Sequence, residues 1–154
     1  MTTSFIRALM GALLLSLASF SLASERLIQA DALSKQIKDE NLILIDLSDD
    51  TQYQRFHLPG AIHLPFEFLV VRKNNISTPV PQDKLIRHLG KLGISASSAI
   101  VLYDDMGGLN AGRLYWELEQ LGHAKVTILD GGLVTWILEG RKVTNSAPQA
   151  RTPT

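Results

Sequence analysis

Short apolar segments alternate along this chain with segments in which apolar residues recur at helical spacing. Residues 42–45 and Ala99–Tyr103 are apolar throughout, and Val126–Leu129 is nearly so. A strand that is apolar on both faces is typical of a parallel sheet covered on both sides, and parallel strands are joined by helical crossovers. The alternation therefore predicts an α/β domain of three layers, a parallel sheet with helices on both faces.

The remaining elements follow from helical spacing and from turn residues. Helices are predicted from the cap residue Asp31, over residues 50–56, from Gln82 to Gly93, from the cap residue Asn110 to Gly122, and up to Glu139. A short strand is predicted over residues 61–64. Residues 73–81 contain two asparagines and two prolines, and this composition predicts a surface loop.

The N-terminus has the pattern of a secretory signal peptide. Arg7 is the only charged residue among the first 24, and residues 8–20 form an almost unbroken apolar run. This run is shorter than the ~20 residues that a membrane-spanning helix needs, and small residues surround a cleavage site after Ala23. We expect residues 1–23 to be removed on export to a bacterial periplasm, with membrane contact only during export. A retained anchor helix is the alternative.

Charge and composition exclude several classes of function. The 15 basic and 15 acidic residues balance and are scattered, so no nucleic-acid partner is expected. The chain contains no cysteine, which excludes disulfides, thiolate nucleophiles and cysteine-bound zinc. We expect a domain over residues 24–143 and a linker or disordered tail over residues 144–154, which are rich in Pro, Ser, Thr and Ala. No cofactor is expected.

The candidate site lies where parallel strands end, because ligands of such sheets bind outside the carboxyl ends of the strands. Asp46 and Asp104 come at the ends of two predicted strands. The loop after Asp104 passes through Gly107 and Gly108 into a helix, a geometry in which successive backbone N–H groups converge on an anion. The acidic pair Asp104 and Asp105 would itself occupy such a cradle and repel a second anion.

Several spaced motifs resemble those of rhodanese-like sulfurtransferases in order and spacing. They are residues 44–46, 57–63, 100–104, 107–108, 111–113, 116–118, 122–123 and 126–132, with Trp136 and Gly140. The resemblance covers about residues 27–143 and implies a rhodanese-type fold. The chain has Ser48 where many members have an arginine, and Phe56 where they have a glycine.

In active members of this family a cysteine follows the strand that corresponds to Ala99–Tyr103 and carries a persulfide. Asp104 occupies that position here, and a carboxylate cannot hold sulfane sulfur. The chain is similar to the N-terminal, catalytically silent half of tandem thiosulfate or 3-mercaptopyruvate sulfurtransferases. The resemblance implies no catalytic residue and a vestigial active-site loop of Asp104, Asp105, Met106, Gly107, Gly108, Leu109 and Asn110.

Structural roles are the simpler interpretation of the other candidates. We expect the Asp104 carboxylate to accept hydrogen bonds from loop N–H groups or from Arg113, and Arg113 to pair with Asp104, Asp105 or Glu117. Anion binding is the alternative for Arg113, and Asp46 is a further structural or anion candidate. His57 is expected to fix a loop rather than act as a base. Two tryptophans, Trp116 and Trp136, are expected in the core, and His63, His88 and His123 lack the spacing of a metal site.

Three functions remain open. The first is the structural half of a sulfurtransferase, whose partner is a Cys-bearing rhodanese domain. The second is a free-standing module that binds a periplasmic protein. The third is a magnesium-dependent, aspartate-phosphorylated domain, since five acidic side chains follow two strands: Asp46, Asp49, Asp50, Asp104 and Asp105.

Overall fold

The structure is a computed structural model that describes residues 26–153, built around a five-stranded parallel sheet. In chain order the elements are β1 (Leu27–Ile28), α1 (Ala30–Gln36), β2 (Leu42–Asp46), α2 (Asp50–Arg55), β3 (Ile62–His63), a 3-10 turn (Phe66–Leu69), β4 (Val70–Lys73), β5 (Ile76–Pro79), α3 (Gln82–Lys91), β6 (Ala99–Tyr103), α4 (Leu109–Gln120), β7 (Val126–Leu129) and α5 (Gly132–Leu138). The strand order is β1-β7-β6-β2-β3, and every pair in this sheet is parallel. The predicted fold class is confirmed.

The central strands bury both faces because successive side chains point to opposite sides of a sheet. Ile43 and Ile45 of β2 pack in one apolar cluster with residues of α3 and α4. Leu44, between them in sequence, packs in a second cluster with residues of α1 and α5. Each cluster fills the space between the sheet and one helical layer, which gives the three layers that the apolar strands predict.

Helix α4 connects the two adjacent strands β6 and β7 and buries one side against the sheet. Its buried residues include Ala111, Leu114 and Leu118, which recur at helical spacing. The predicted cap was wrong: the helix begins at Leu109 with Gly108 as its N-cap, and Asn110 lies in the first turn. Asp31 is likewise inside the first turn of α1, whose N-cap is Gln29. Neither N-cap residue forms a capping hydrogen bond with its own side chain.

Residues 73–81 differ from the loop that the sequence predicts. Strands β4 and β5 form an antiparallel hairpin with Lys73 opposite Ile76. The two linking residues, Asn74 and Asn75, have left-handed φ angles of 50° and 61°. Asparagine tolerates this conformation, and two such residues form the turn that matches the twist of a hairpin. The Asn-Asn pair between two β-prone segments was the signal for this hairpin.

The segment expected to be a linker or disordered tail lies along the domain in its described part, residues 144–153. Thr144 and His57 exchange two backbone hydrogen bonds of 2.9 and 2.8 Å. Farther on, Arg151 donates from Nη2 to the carbonyl of Glu40 at 3.0 Å. The same arginine lies against Gly93, where any Cβ would come within 2.8 Å of its side chain.

The expected signal peptide, residues 1–23, lies outside the described residues. Within residues 26–153 no helix has the length and apolar character required to cross a bilayer.

Candidate functional site

Asp104 is the first residue after β6, and its carboxylate is wholly buried. Oδ1 accepts hydrogen bonds from the backbone N–H groups of Met106 and Gly108, at 2.9 and 2.7 Å. Oδ2 accepts from the N–H groups of Asn110 and Ala111, at 2.8 and 2.9 Å. We call these four N–H groups and the carboxylate between them the Asp104 cradle.

Glycines allow the backbone to fold around Asp104. Gly107 and Gly108 have φ angles of 73° and 94°, which L side chains rarely adopt, and this reversal turns the N–H groups inward. On the other side, a Cβ at Gly132 would lie 2.4 Å from the Asp104 carbonyl oxygen. That oxygen accepts a hydrogen bond from the N–H of Leu133 at 2.9 Å. The Asp104 residue is therefore held through both its side chain and its main chain.

The chemistry of the Asp104 cradle is that of a closed anion site. Its four N–H donors already bind the Asp104 carboxylate, so they are not available to an external anion. A charge-assisted hydrogen bond from a backbone N–H is among the stronger ones, and four of them on one side chain stabilise a single loop conformation. The first of the two predicted arrangements for Asp104, bonding to loop N–H groups, is the one found.

Arg113 pairs with Glu117 and not with either aspartate of the loop. Its Nη2 forms an ion pair with Oε1 of Glu117, which is buried, and its guanidinium lies 5.1 Å above the ring of Trp116. The Nε atom of Arg113 is buried without a hydrogen-bond partner. The expectation for Trp116 was wrong, because 48% of this residue is exposed, whereas Trp136 is buried as expected and donates to the carbonyl of Lys142.

Asp46 ends the neighbouring strand β2 and is also wholly buried. Its Oδ1 accepts from the N–H of Ser48 at 2.8 Å, but Oδ2 has no hydrogen-bond partner. Burial raises the pKa of Asp46 above its ordinary value, although the nearby hydroxyls of Tyr103 and Ser48 and the ring of His63 act in the opposite direction. Burial and the Asp46 charge hold the pKa of Tyr103 well above its ordinary value.

Tyr53 lies between two histidines in a stacked group. Its ring is 3.9 Å from the ring of His57 and 4.3 Å from that of His63. The ring nitrogens of His57 contact the carbonyls of Tyr53 and Ser146, at 2.8 and 3.1 Å. Both nitrogens face main-chain carbonyls, and through these contacts the ring ties α2 to the C-terminal segment. The hydroxyl of Tyr53 donates to Ala61, and burial followed by the charge of Asp46 raises the Tyr53 pKa to about 12.

The five aspartates behind the magnesium alternative make separate contacts. Asp49 caps α2 by accepting from the N–H of Gln52 at 2.8 Å, and Asp50 lies 3.6 Å from Nδ1 of His63. The Asp104 oxygens are filled by the cradle. Between residues 26 and 153 there is no group of three or more histidine, aspartate or glutamate side chains placed to hold a metal ion.

The sequence did not identify two features of this region. The side chain of Asn110 donates from Nδ2 to the carbonyl of Leu47 at 3.1 Å, and so joins the loops that follow β6 and β2. The Tyr53 stack was also missed, although Tyr53 and His57 lie four residues apart at the end of a predicted helix. That helical spacing was the available signal.

The fold and the Asp104 loop together define a domain of the rhodanese type. The model of the family described as "Rhodanese-like domain" matches residues 29–139, and the chain belongs to this family. Among curated proteins, it is 31% identical over 122 residues to thiosulfate sulfurtransferase of Azotobacter vinelandii, covering 75% of this chain and 43% of that one. It is 30% identical over 133 residues to thiosulfate/3-mercaptopyruvate sulfurtransferase 2 of Arabidopsis thaliana, covering 80% of this chain and 39% of that one.

Solved structures agree on the fold. SseA from Escherichia coli, described with the mechanism of 3-mercaptopyruvate sulfotransferases, superposes with a TM-score of 0.72 at 23% identity over 84% of this chain and 56% of that one. The 3-mercaptopyruvate sulfurtransferase of Leishmania major gives 0.75 at 18% identity over 87% of this chain and 40% of that one. The chain thus spans about two fifths of the length of the curated relatives above.

Proposed function

We propose that this chain is the catalytically silent half of a thiosulfate or 3-mercaptopyruvate sulfurtransferase, which packs against a Cys-bearing rhodanese domain and shapes its substrate entrance. The observation that carries the proposal is the Asp104 cradle, in which a carboxylate stands where active members have the persulfide cysteine and uses four backbone donors. The sequence contains no cysteine that could replace it. A domain that keeps the fold without the nucleophile is suited to support a partner's chemistry.

Sulfur transfer to cyanide tests the proposal directly. The purified chain should release no thiocyanate from thiosulfate or 3-mercaptopyruvate above a buffer blank. A native complex that contains this chain and a Cys-bearing domain should release thiocyanate. Removal of this chain from the complex should lower kcat/KM for sulfur transfer by a larger factor than it lowers the rate at which the catalytic cysteine reacts with a thiol reagent. Transfer by the purified chain alone, with contaminating enzymes excluded, would overturn the proposal.

Export to a periplasm belongs to the same proposal and is supported by the sequence of residues 1–23. Removal of these residues from the 17.0 kDa chain would leave about 14–15 kDa. Intact-mass measurement on native protein from a periplasmic extract would detect this species, or a larger one if further domains share its polypeptide. Recovery of an unprocessed N-terminus from the cytoplasm would contradict export.

A free-standing binding module is the second candidate, and the docked C-terminal segment favours it. Thr144 and Arg151 both bond to the body of the domain, so residues up to this point complete the domain rather than extend from it. Such a module should stay monomeric at high concentration, whereas a half-enzyme that exposes an interface should self-associate when purified alone. Analytical ultracentrifugation over a wide concentration range distinguishes them.

A further inference from the structure

One exposed face of α4 is apolar and continues into the Asp104 loop. Met106 of the loop is 60% exposed, and Leu109 and Trp116 of the helix are 68% and 48% exposed. Leu109, Gly112 and Trp116 are three and four residues apart, a spacing that places them on one side of the helix. We call Met106, Leu109, Gly112 and Trp116 the α4 stripe.

No contact within the described residues requires a glycine at position 112. Gly112 is the fourth residue of α4, inside the helix, where glycine is less favourable than alanine, and a Cβ built on it would meet nothing within 4 Å. Its backbone N–H makes an ordinary helical hydrogen bond to Gly108. A helical glycine that faces open space allows another chain to approach the helix backbone closely.

Trp116 is held in position although it is exposed. The guanidinium of Arg113 lies over its ring, and that guanidinium is paired with the buried carboxylate of Glu117. A fixed ring loses little conformational entropy when a partner covers it. Tryptophan, arginine and methionine are also the residue types that are enriched in interface cores and at binding hot spots.

We infer that the α4 stripe is the surface on which a Cys-bearing rhodanese domain docks, an inference that rests on the proposed function. The two sulfurtransferase relatives share 43% and 39% of their length with this chain, so each is more than twice as long as the shared region. The domain that corresponds to this chain is therefore joined, in each relative, to a further segment against which it can pack. The stripe begins at Met106, beside the Asp104 cradle, at the edge of the sheet where ligand sites of this architecture lie. A domain docked there lies over this edge of the sheet.

Two other exposed apolar positions serve as controls because they lie on different helices. Ile86 of α3 is 53% exposed and Leu138 of α5 is 81% exposed. Neither residue belongs to α4 or to the Asp104 loop. If exposure alone made a docking surface, these positions would serve as well as Trp116.

Site-directed photo-crosslinking in the native cell tests the inference with the full chain. The photoreactive residue p-benzoylphenylalanine replaces Trp116, Ile86 or Leu138 in separate variants, and the crosslinked peptide is sequenced by mass spectrometry. We expect the Trp116 variant to crosslink to a Cys-bearing rhodanese domain, with at least tenfold lower yield from Ile86 and Leu138.

The other outcomes separate the inference from the proposed function. Crosslinks to a Cys-bearing rhodanese domain from Ile86 or Leu138, and not from Trp116, would overturn the α4 stripe and leave the proposed function standing. Crosslinks from Trp116 to a second copy of this chain or to a protein without that domain would overturn both, as would an absence of crosslinks from all three positions.

A substitution at Gly112 provides a second test, because loss of docking and loss of stability would have different effects on the variant. Gly112→Leu should raise the thermal midpoint of the isolated chain, because leucine is the better helix former and has room, yet lower the Trp116 crosslink at least tenfold. Lys84→Leu on the exposed side of α3 is the matched control and should leave the crosslink yield unchanged. An unchanged yield in Gly112→Leu would show that nothing docks closely at this glycine.

Discussion

Two buried aspartates at the ends of neighbouring strands differ greatly in the number of hydrogen bonds that their carboxylates accept. Asp104, after β6, receives four backbone N–H groups. Asp46, at the end of β2, receives one, and its Oδ2 receives none. The difference shows that a buried carboxylate is stabilised by the donors that the following backbone can supply: a glycine-containing loop that turns back supplies four, and the turn into α2 supplies one.

This difference in hydrogen bonding makes the charge of Asp104 stabilising and the charge of Asp46 electrostatically unfavourable. Asp104 organises its own loop through charge-assisted bonds. The raised pKa of Asp46 records the cost of burying a charge with incomplete hydrogen bonding, and that charge in turn raises the pKa of Tyr53 and Tyr103. Substitutions at each aspartate should therefore have opposite consequences.

The largest expected effect is that of Asp104→Ala. Four N–H groups lose their acceptor, so the free energy of unfolding should fall by at least about 3 kcal/mol in urea denaturation at pH 7. Asp105→Ala, at the next residue, should change it by less than about 0.5 kcal/mol. Sulfate should restore part of the stability of Asp104→Ala by filling the opened cradle. Equal losses in the two variants would remove the distinction drawn above.

An intermediate effect is expected where the two loops are joined. Asn110→Ala removes the hydrogen bond to the Leu47 carbonyl and should lower the free energy of unfolding by about 1 kcal/mol. Asn41→Ala, which removes an exposed asparagine bonded to Asp39, is the control and should cost less than about 0.5 kcal/mol. If Asn110→Ala were neutral, the loops would be independent of each other.

Asp46→Asn should have a smaller effect whose size depends on pH. Because the folded pKa of Asp46 is raised, the native state binds this proton more tightly than the unfolded state does. Wild-type stability is thus favoured below the unfolded value of about 3.9 and declines as pH rises through the folded pKa. Relative to wild type, the variant should gain stability, by less than about 1 kcal/mol, between pH 4 and pH 7. Urea denaturation across that range measures it, and a difference independent of pH would contradict the assignment.

The smallest effect concerns the ionisation of Tyr53, whose pKa is about 12. Removal of the Asp46 charge should make the phenolate easier to form, so Asp46→Asn should move the Tyr53 midpoint to lower pH. Burial, the larger cause, remains in the variant, and the shift is therefore modest. Ultraviolet absorbance of phenolate measures the midpoint, and Tyr53→Phe identifies the transition. An unmoved midpoint would show that Asp46 and Tyr53 do not interact.

The sequence predicts what depends on local pattern. The bounds of β6 were predicted as found, because Ala99–Tyr103 is apolar on both faces and ends at an acidic pair. Trp116 was misplaced because it is apolar, yet it lies two residues from both Leu114 and Leu118 and so falls outside their buried register. Helical spacing therefore predicts that Trp116 is exposed, whereas its hydrophobicity alone predicts that it is buried.

Long-range contacts could not be predicted from pattern. The number of donors on Asp104 depends on how tightly the loop closes, and the Asn110 to Leu47 bond joins residues that no periodicity relates. β1 has only two residues, too few to show any alternation, and its place in the sheet is set by its partner β7. The sequence predicted that Asp104 follows β6 and accepts hydrogen bonds from loop N–H groups, but the geometry of the cradle depends on the fold.

The pairing of β1 with β7 also governs the order in which the chain can fold. Leu27 and its partner Ile128 are about one hundred residues apart, so this edge of the sheet cannot form until β7 has been synthesised. The inner pair of β2 and β6 closes a shorter loop and makes five residue pairs, against two for β1 and β7. The edge pair should accordingly close last and open first, and the amides of Ile128 and Asp130, which bond to Arg26 and Ile28, should exchange with solvent hydrogen before those of the central strands.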